Sequence, residues 1–342
     1  MIDAIACERQ FIDHLVPVWN ALPLDLRGTF FTEAPLVGYA VAQGVTVVAP
    51  VVRENYRRGV VHRQDHPALV ASIGDTKTGR IRGYTRFLFI EHGAGQSYIG
   101  ENSTGARHHS YAGGEDREDT SLFMVPNHYA AALWRQRYPL ADVQVVGCPK
   151  LDTLPRKDPS EPPTVAISWH WPGRQVPETD TAYGEFHRVL PDLAREFNLI
   201  GHGHPKGDWQ RVLSSAYRRN GIEFVADFAE VCRRADVYVC DNSSTIYEFA
   251  ATDRPVVLMN PSRYRRWVHH GLRFWEAATV GEQVDDPADL VPAVRRALDD
   301  PRATESQRNA ALDIVYAFKS GGAQRAAEAV VQHLVGSATL SA

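Results

Sequence analysis

The sequence predicts two α/β domains, each built on a parallel β-sheet with helices on both faces. Strand-like apolar runs alternate with helix-like segments from one end of the chain to the other. Runs such as Val237–Cys240 are apolar at consecutive positions, which is typical of strands buried on both faces. A chain of 342 residues also exceeds the size at which a single hydrophobic core stops growing, so we expect two domains.

The first half of the chain contains five strand-like runs and two helical segments, which we assign to one domain at residues 1–151. In chain order the segments are a helix at Phe11–Leu22, strands at Val45–Ala49, Leu69–Ile73, Arg86–Ile90 and Ser121–Val125, a helix at Tyr129–Tyr138, and a strand at Val143–Val146. Residues 152–163 contain four prolines and mixed charges, which predicts a linker.

The second half repeats the alternation and predicts a second domain at residues 164–318. Its predicted strands are Thr164–Ser168, Leu199–Ile200, Glu223–Val225, Val237–Cys240 and Pro255–Met259. Its predicted helices are Ala182–Phe197, Trp209–Arg219, Phe228–Arg234 and one that opens at Ser244. Two or three helices finish the chain, and residues 319–342 form a C-terminal helix that can pack back on the first domain.

Composition narrows the class of protein. A net charge of −4 argues against indiscriminate binding to nucleic acid, and 44% hydrophobic residues suffice for two cores. The four cysteines show no CxxC spacing, so we expect reduced thiols in a cytoplasmic protein. The sequence has no signal-peptide pattern and no uncharged apolar run as long as a membrane span.

The most informative motif, Asp241–Glu248, predicts a binding site for a nucleotide. It follows an apolar strand and delivers Ser243 and Ser244 to the start of a helix, where free N–H groups and the helix dipole favour a phosphate. Glu248 lies one turn further on the same face as Ser244, where a carboxylate can accept hydrogen bonds from ribose hydroxyls. The alternative is an ordinary N-cap before a core helix.

A second motif, Glu91-His92-Gly93-Ala94-Gly95-Gln96, directly follows a predicted strand and supplies the candidate catalytic residues Glu91 and His92. Gly93 and Gly95 allow a sharp turn or the close approach of a ligand. An imidazole at a strand end titrates near neutrality and suits a general base. The alternative is a structural histidine in a glycine turn. Gln96 and the two glycines are candidate acceptor-side residues.

The segment Gly203-His204-Pro205 also follows a strand. Histidines 202 and 204 have a spacing that metal ligands can adopt, but no Cys or acidic ligand follows at zinc-like spacing, so we expect no metal site. We expect His204 to contact a phosphate, because this loop should neighbour the Ser243 loop across the sheet. In the segment Gly147–Asp152, Lys150 either faces the acceptor side of the site or is an ordinary solvated lysine.

Taken together, these motifs resemble those of the CDP-glycerol glycerophosphotransferase family, enzymes with a GT-B fold that build polymers of the teichoic-acid type. Four motifs match in order: His92-Gly93 is similar to HG, Gly147-x-Pro149-Lys150-x-Asp152 to GxPRxD, His204-Pro205 to HP, and Asp241-x-Ser243-Ser244 to DxSS. Gly321–Arg325 is faintly similar to the DGKASER helix start of the family.

The resemblance implies a GT-B fold, in which two Rossmann-like domains with parallel sheets face a central cleft. It implies that His92 is the base that activates an acceptor hydroxyl. It also implies that a CDP-activated donor, a substrate rather than a cofactor, is held at its diphosphate by His204, Ser243 and Ser244 and at its ribose by Glu248. Gly203, Pro205 and Asp241 belong to the same donor-binding segments.

Departures from the family leave alternatives open. The family usually has Thr, Pro and Lys where this chain has Ala94, Gly95 and Gln96, so a contact to phosphate or acceptor is lost. The same base and anion site would serve a GT-B glycosyltransferase that uses a UDP-sugar or similar donor, and a nucleotide-binding module without catalysis is a third interpretation.

No Asp-x-Asp triplet occurs, so we expect no metal requirement. Basic residues outnumber acidic ones in residues 53–86, which favours either an anionic acceptor, with nucleic acid only in that role, or a solvated surface.

Overall fold

The computed structural model describes residues 1–51, 64–94, 99–101, 107–109, 111, 113–114, 117–157, 162–173, 180–264 and 278–339. The chain divides into two compact units. The first unit contains residues 1–92, 111–153 and 316–342, and the second contains residues 93–110 and 154–315. The C-terminal segment therefore belongs to the same unit as the N-terminus.

The first unit is built on a seven-stranded, fully parallel sheet. In chain order up to residue 153, the strands are β1 (Ile2–Ala6), β2 (Arg27–Thr32), β3 (Val48–Pro50), β4 (Ala68–Val70), β5 (Phe87–Ile90), β6 (Ile99–Glu101), β7 (Arg107–His109), β8 (Thr120–Val125) and β9 (Asp142–Val145). Of these, β6 and β7 lie in residues 93–110 and belong to the second unit. The sheet order is β3-β2-β1-β4-β5-β8-β9, and β6 and β7 pair separately as an antiparallel hairpin.

The second unit is built on a six-stranded parallel sheet. Its strands are β10 (Thr164–Trp169), β11 (Asn198–Gly203), β12 (Glu223–Phe224), β13 (Val237–Cys240), β14 (Val256–Met259) and β15 (Glu282–Val284). The order β12-β11-β10-β13-β14-β15 places β10 between β11 and β13. The predicted fold class, two α/β units with parallel sheets, is confirmed.

Helices connect the strands and cover both sheets. They are α1 (Arg9–Ala21), α2 (Val37–Ala42), α3 (Ile73–Ile81), α4 (His128–Arg137), α5 (Tyr183–Phe186), α6 (Leu190–Glu196), α7 (Gly207–Arg219), α8 (Phe228–Arg234), α9 (Thr245–Ala250), α10 (Leu290–Asp299), α11 (Glu305–Val315) and α12 (Gly322–Thr339). No helix in the described part of the chain is both long and apolar enough to cross a membrane.

The two faces of the first sheet have separate hydrophobic cores, and the side chains of β5 alternate between them. Leu88 and Ile90 belong to the core formed with α1 and α12. Phe87 and Phe89 belong to the opposite core, where Trp134 of α4 stacks on Phe123. Because successive side chains of a strand point to opposite faces, this alternation also determines where Glu91 and His92 lie.

Asp152 joins the motif Gly147–Asp152 to the terminal helix α12. Its Oδ1 accepts a hydrogen bond from the N–H of Gly321 at 2.6 Å, and its Oδ2 accepts one from the N–H of Ala323 at 2.7 Å. Gly147 has a φ of +85°, and a Cβ there would lie 2.8 Å from the carbonyl oxygen of Phe318, so the close approach requires glycine. The two motifs predicted from sequence are therefore in direct contact.

We predict that Asp152→Ala destabilises the protein by about 1–2 kcal/mol, because it leaves two N–H groups at the start of α12 without acceptors. Urea unfolding of both proteins measures the loss. The matched control is Glu328→Gln on the exposed face of the same helix, which should change stability by less than about 0.5 kcal/mol. Equal stability of Asp152→Ala and wild type would contradict the assignment.

Candidate functional site

His92 follows β5 at the carboxyl edge of the first sheet, and its imidazole has a fixed orientation. The Nδ1 atom makes a short hydrogen bond with the carbonyl oxygen of Ala71, at the end of the neighbouring strand β4. The ring also contacts Phe11 of α1 edge-on, with centroids 4.6 Å apart. A carbonyl can only accept, so Nδ1 carries the proton and Nε2 of the neutral ring carries the lone pair.

Glu91 lies on the opposite face of the sheet from His92. Its Oε1 accepts a hydrogen bond from the Tyr111 hydroxyl at 2.8 Å, and its Oε2 accepts one from the Trp134 indole at 2.9 Å. Burial raises the pKa of this carboxyl group above its ordinary value. Both oxygens are engaged by aromatic donors, so the surroundings of Glu91 indicate a residue that positions the turn after β5.

The acceptor-side residues after His92 are described only in part. Gly93 has a φ of +74°, a conformation that favours glycine, and it turns the chain away from the strand. Gly95 and Gln96 lie outside the described residues, as do residues 52–63 of the basic segment. The sequence-based interpretations of those positions stay predictions.

Three further residues of the first unit lie near His92 or in the motif Gly147–Asp152. The His14 ring on α1 is buried, with its centroid 6.2 Å from that of His92, and its Nδ1 lies 3.8 Å from the Cys148 thiol. Lys150 is only 5% exposed. The interpretation of Lys150 as an ordinary solvated lysine is therefore wrong, because its segment folds as a 3-10 helix into the body of the unit.

In the second unit, His204 follows β11 at the carboxyl edge of the sheet. Its Nδ1 is buried and has no hydrogen-bond partner among the described residues. Burial, with smaller contributions from Lys206 and His202, lowers the pKa of His204 from 6.5 to about 4. The ring is therefore neutral at neutral pH.

The residues next to His204 in the motif make contacts within the protein. His202 is buried, and its Nδ1 lies 2.8 Å from the carbonyl oxygen of Val225. A Cβ at Gly203 would collide with the end of the Leu213 side chain, so α7 packs closely on β11 at this glycine. Pro205 follows at the turn into α7 and is partly exposed.

Asp241 organises the edge of the second sheet. Its Oδ1 accepts hydrogen bonds from the N–H groups of His170 at 2.7 Å and Asn242 at 2.6 Å. Its Oδ2 accepts hydrogen bonds from the Thr181 hydroxyl at 2.9 Å and the Ala182 N–H at 2.8 Å. Burial raises the pKa of this carboxyl group, and the four donors oppose the rise. With four donors, Asp241 joins the loops that follow β10 and β13.

The two serines lie where the sequence predicts, at the start of α9. The Ser243 hydroxyl accepts hydrogen bonds from the hydroxyl of Thr245 at 2.8 Å and from its N–H at 3.3 Å. Ser244 occupies the N-cap position, but its side chain makes no capping hydrogen bond. Both serines are partly exposed, whereas Glu248 is 1% exposed and therefore belongs to the interior side of the short helix.

One cluster of polar and aromatic side chains, at the ends of β10 and β11, was not predicted from the sequence. It consists of His170, Trp171, His204 and Lys206. The His170 ring lies 5.4 Å from those of Trp171 and His204, and the Lys206 ammonium lies 3.5 Å from the centre of the Trp171 ring. The signal was available, because His170 and Trp171 follow a predicted strand that neighbours β11. Among the described residues, no group of three or more His, Cys, Asp or Glu is arranged to hold a metal ion.

Comparison with protein families gives one match. Residues 178–336 match the family described as CDP-Glycerol:Poly(glycerophosphate) glycerophosphotransferase. The matched region contains His204, Ser243, Ser244 and Glu248 and ends within α12. No curated protein matches the chain.

Solved structures with the same architecture cover almost the whole chain. The wall teichoic acid polymerase TagF has a TM-score of 0.67 at 11% identity, over 99% of this chain and 90% of that chain. UDP-GlcNAc 2-epimerase from Neisseria meningitidis, bound to UDP-GlcNAc, has a TM-score of 0.57 at 11% identity over 98% and 99%. S. aureus MnaA, solved with UDP, has a TM-score of 0.60 at 14% identity over 97% and 95%.

At these identities the structural likeness shows the fold, while the family match agrees with the motifs in the second unit. The resemblance predicted from sequence is thus confirmed: residues 178–336 are similar to the CDP-Glycerol:Poly(glycerophosphate) glycerophosphotransferase family, and the chain has the GT-B-type fold of TagF.

Proposed function

We propose that the protein transfers a glycerol phosphate or related polyol phosphate group from a CDP-activated donor to an acceptor hydroxyl. The observation that carries this proposal is the family match over residues 178–336, which contains the predicted donor-binding residues. The acceptor oxygen attacks the phosphorus that bears the polyol, the bond between the two phosphates breaks, and CMP leaves.

In this proposal His92 is the general base. A hydroxyl has a pKa far above neutrality, so its attack requires a group that accepts the proton. The hydrogen bond from Nδ1 to the Ala71 carbonyl leaves Nε2 as the proton-accepting atom. Contacts with Phe11 and His14 restrict the ring on the α1 side, which keeps Nε2 in one direction.

The second unit holds the donor in this proposal. The Ser243 and Ser244 hydroxyls at the start of α9 and His204 after β11 contact the diphosphate. His204 gains a proton as an anion binds beside it, since a negative charge favours the protonated ring. Asp241 joins the loops that follow β10 and β13 through its four hydrogen bonds and in this proposal does not itself contact the donor.

The proposal is tested by His92→Asn, which removes the base and retains a polar side chain. We predict that turnover of CDP-glycerol falls about 10²- to 10⁴-fold while the dissociation constant for CDP stays within about twofold of wild type. CMP release measures turnover, and calorimetry measures binding.

The matched control for this test is His128→Asn, an exposed histidine of the same unit that follows β8. This variant should turn over at the wild-type rate. Wild-type turnover by His92→Asn would move the base to another residue.

The lowered pKa of His204 predicts a pH-dependent contribution to stability. Between pH 6.5 and about 4 the unfolded chain binds a proton at His204 that the folded protein does not, so stability falls as the pH falls through this range. His204→Asn should therefore lose less stability than wild type between pH 7 and pH 5 in urea unfolding. Equal losses in both proteins would show that His204 is not the buried neutral group described above.

Glu248→Gln tests the proposed ribose contact and preserves the size of the buried side chain. We predict that CDP binds about 10-fold more weakly to the variant, whereas 2′,3′-dideoxy-CDP binds equally to both proteins, because the dideoxy ligand lacks the ribose hydroxyls that donate to the carboxylate in this proposal. Calorimetric titration measures the four affinities. If the dideoxy ligand lost as much affinity as CDP, the effect would be structural and the assignment wrong.

A further inference from the structure

The loop between β11 and α7 contains a cation that the proposed function does not use. Lys206 is exposed, and its ammonium group lies 3.5 Å from the centre of the Trp171 ring. Among the residues that the structure describes, no carboxylate is in ion-pair contact with Lys206, whereas Arg211, one turn further along α7, pairs with Asp208. Lys206 is thus held by a cation–π contact, which at exposed sites is weak and easily exchanged.

Lys206 also occupies the N-cap position of α7, a helix of 13 residues, and its side chain makes no capping hydrogen bond. The first N–H groups of this helix have no acceptor within the helix, and its positive dipole end begins at Lys206. The same loop carries the His204 ring, whose buried Nδ1 has no partner in the described part of the protein. These independent features all favour an acidic oxygen as the missing partner.

We propose that Lys206 binds the diphosphate of the nucleotide donor, and that Trp171 holds the lysine ammonium group when no anion is bound. The proposal rests on the donor site described above and adds to it a residue outside the sequence motifs. Trp171 is partly exposed and lies between His170 and Lys206, with its ring centroid 6.2 Å from that of His204. The ammonium group therefore has only a short distance to travel between the ring and an anion beside His204.

The decisive experiment compares CDP and cytidine as ligands of Lys206→Met, which removes the charge and retains the apolar stem. We predict that CDP binds about 10- to 100-fold more weakly than to wild type, the range for losing a charged hydrogen bond, while cytidine binding changes less than twofold. Arg211→Met, on the same helix, is the matched control and should bind both ligands as wild type does.

The role of Trp171 is tested separately with Trp171→Leu and, as a milder change, Trp171→Phe. Removing the competing contact should tighten CDP binding about two- to fivefold with Trp171→Leu and by less with Trp171→Phe. If Trp171→Leu weakened cytidine and CDP equally, the ring would be a stacking surface for the base, and its proposed role would be wrong.

The outcomes separate this inference from the proposed function. Wild-type affinity of Lys206→Met for CDP would overturn the role of Lys206 and leave the donor site intact. If the wild-type protein itself bound neither CDP nor cytidine, both proposals would fall.

Discussion

Within each of the two large sheets all strands run in the same direction, and this constraint determines where chemistry can occur. Parallel pairing brings every carboxyl end of a sheet to one edge, so loops that are far apart in sequence become neighbours there. In the second unit this edge carries His170 and Trp171 after β10, His204 after β11 and Asp241–Ser244 after β13. In the first unit the same rule brings His92, after β5, to the end of β4.

The acidic residues of the motifs hold these edges in shape. Asp241 accepts four hydrogen bonds, Glu91 accepts two from aromatic side chains, and Asp152 accepts two from the start of α12. Each buried or capping carboxylate is offset by donors that would otherwise lack partners, so removing it leaves those donors unsatisfied. His92 and His204, the residues proposed to act on the acceptor and the donor, are by contrast histidines. Their rings are held by backbone and aromatic contacts.

The sequence was sufficient for the class of fold and for most strands, because apolar runs buried on both faces are conspicuous. Strand β1 was missed because its five residues include Asp3, yet β1 is an interior strand of its sheet, between β2 and β4. The predicted helix at residues 182–197 is interrupted by a 3-10 helix at His187–Val189, between α5 and α6. Pro191, in the first turn of α6, cannot donate the backbone hydrogen bond that a continuous helix requires.

Side-chain environments were harder to predict, because they depend on tertiary contacts. The burial of Lys150, the lowered pKa of His204 and the Trp171–Lys206 contact all arise from residues brought together by folding. The apolar pattern predicted correctly that these segments follow strands. It did not show which of their side chains face a ligand and which face the core. Glu91 and Asp241 illustrate this limit, since both accept hydrogen bonds from groups of the protein itself.

The central claim of the proposed function is that the protein transfers a phosphorylated polyol from a CDP-activated donor. The measurement that tests it most directly is a thermal-shift comparison of CDP-glycerol, CDP-ribitol, CMP and CDP with UDP, UDP-glucose and UDP-N-acetylglucosamine. A ligand that binds only the folded state raises the melting temperature by mass action. Selective stabilisation by the cytidine nucleotides is the predicted result. Selective stabilisation by UDP or a UDP-sugar would contradict the claim and indicate a glycosyltransferase with the same fold.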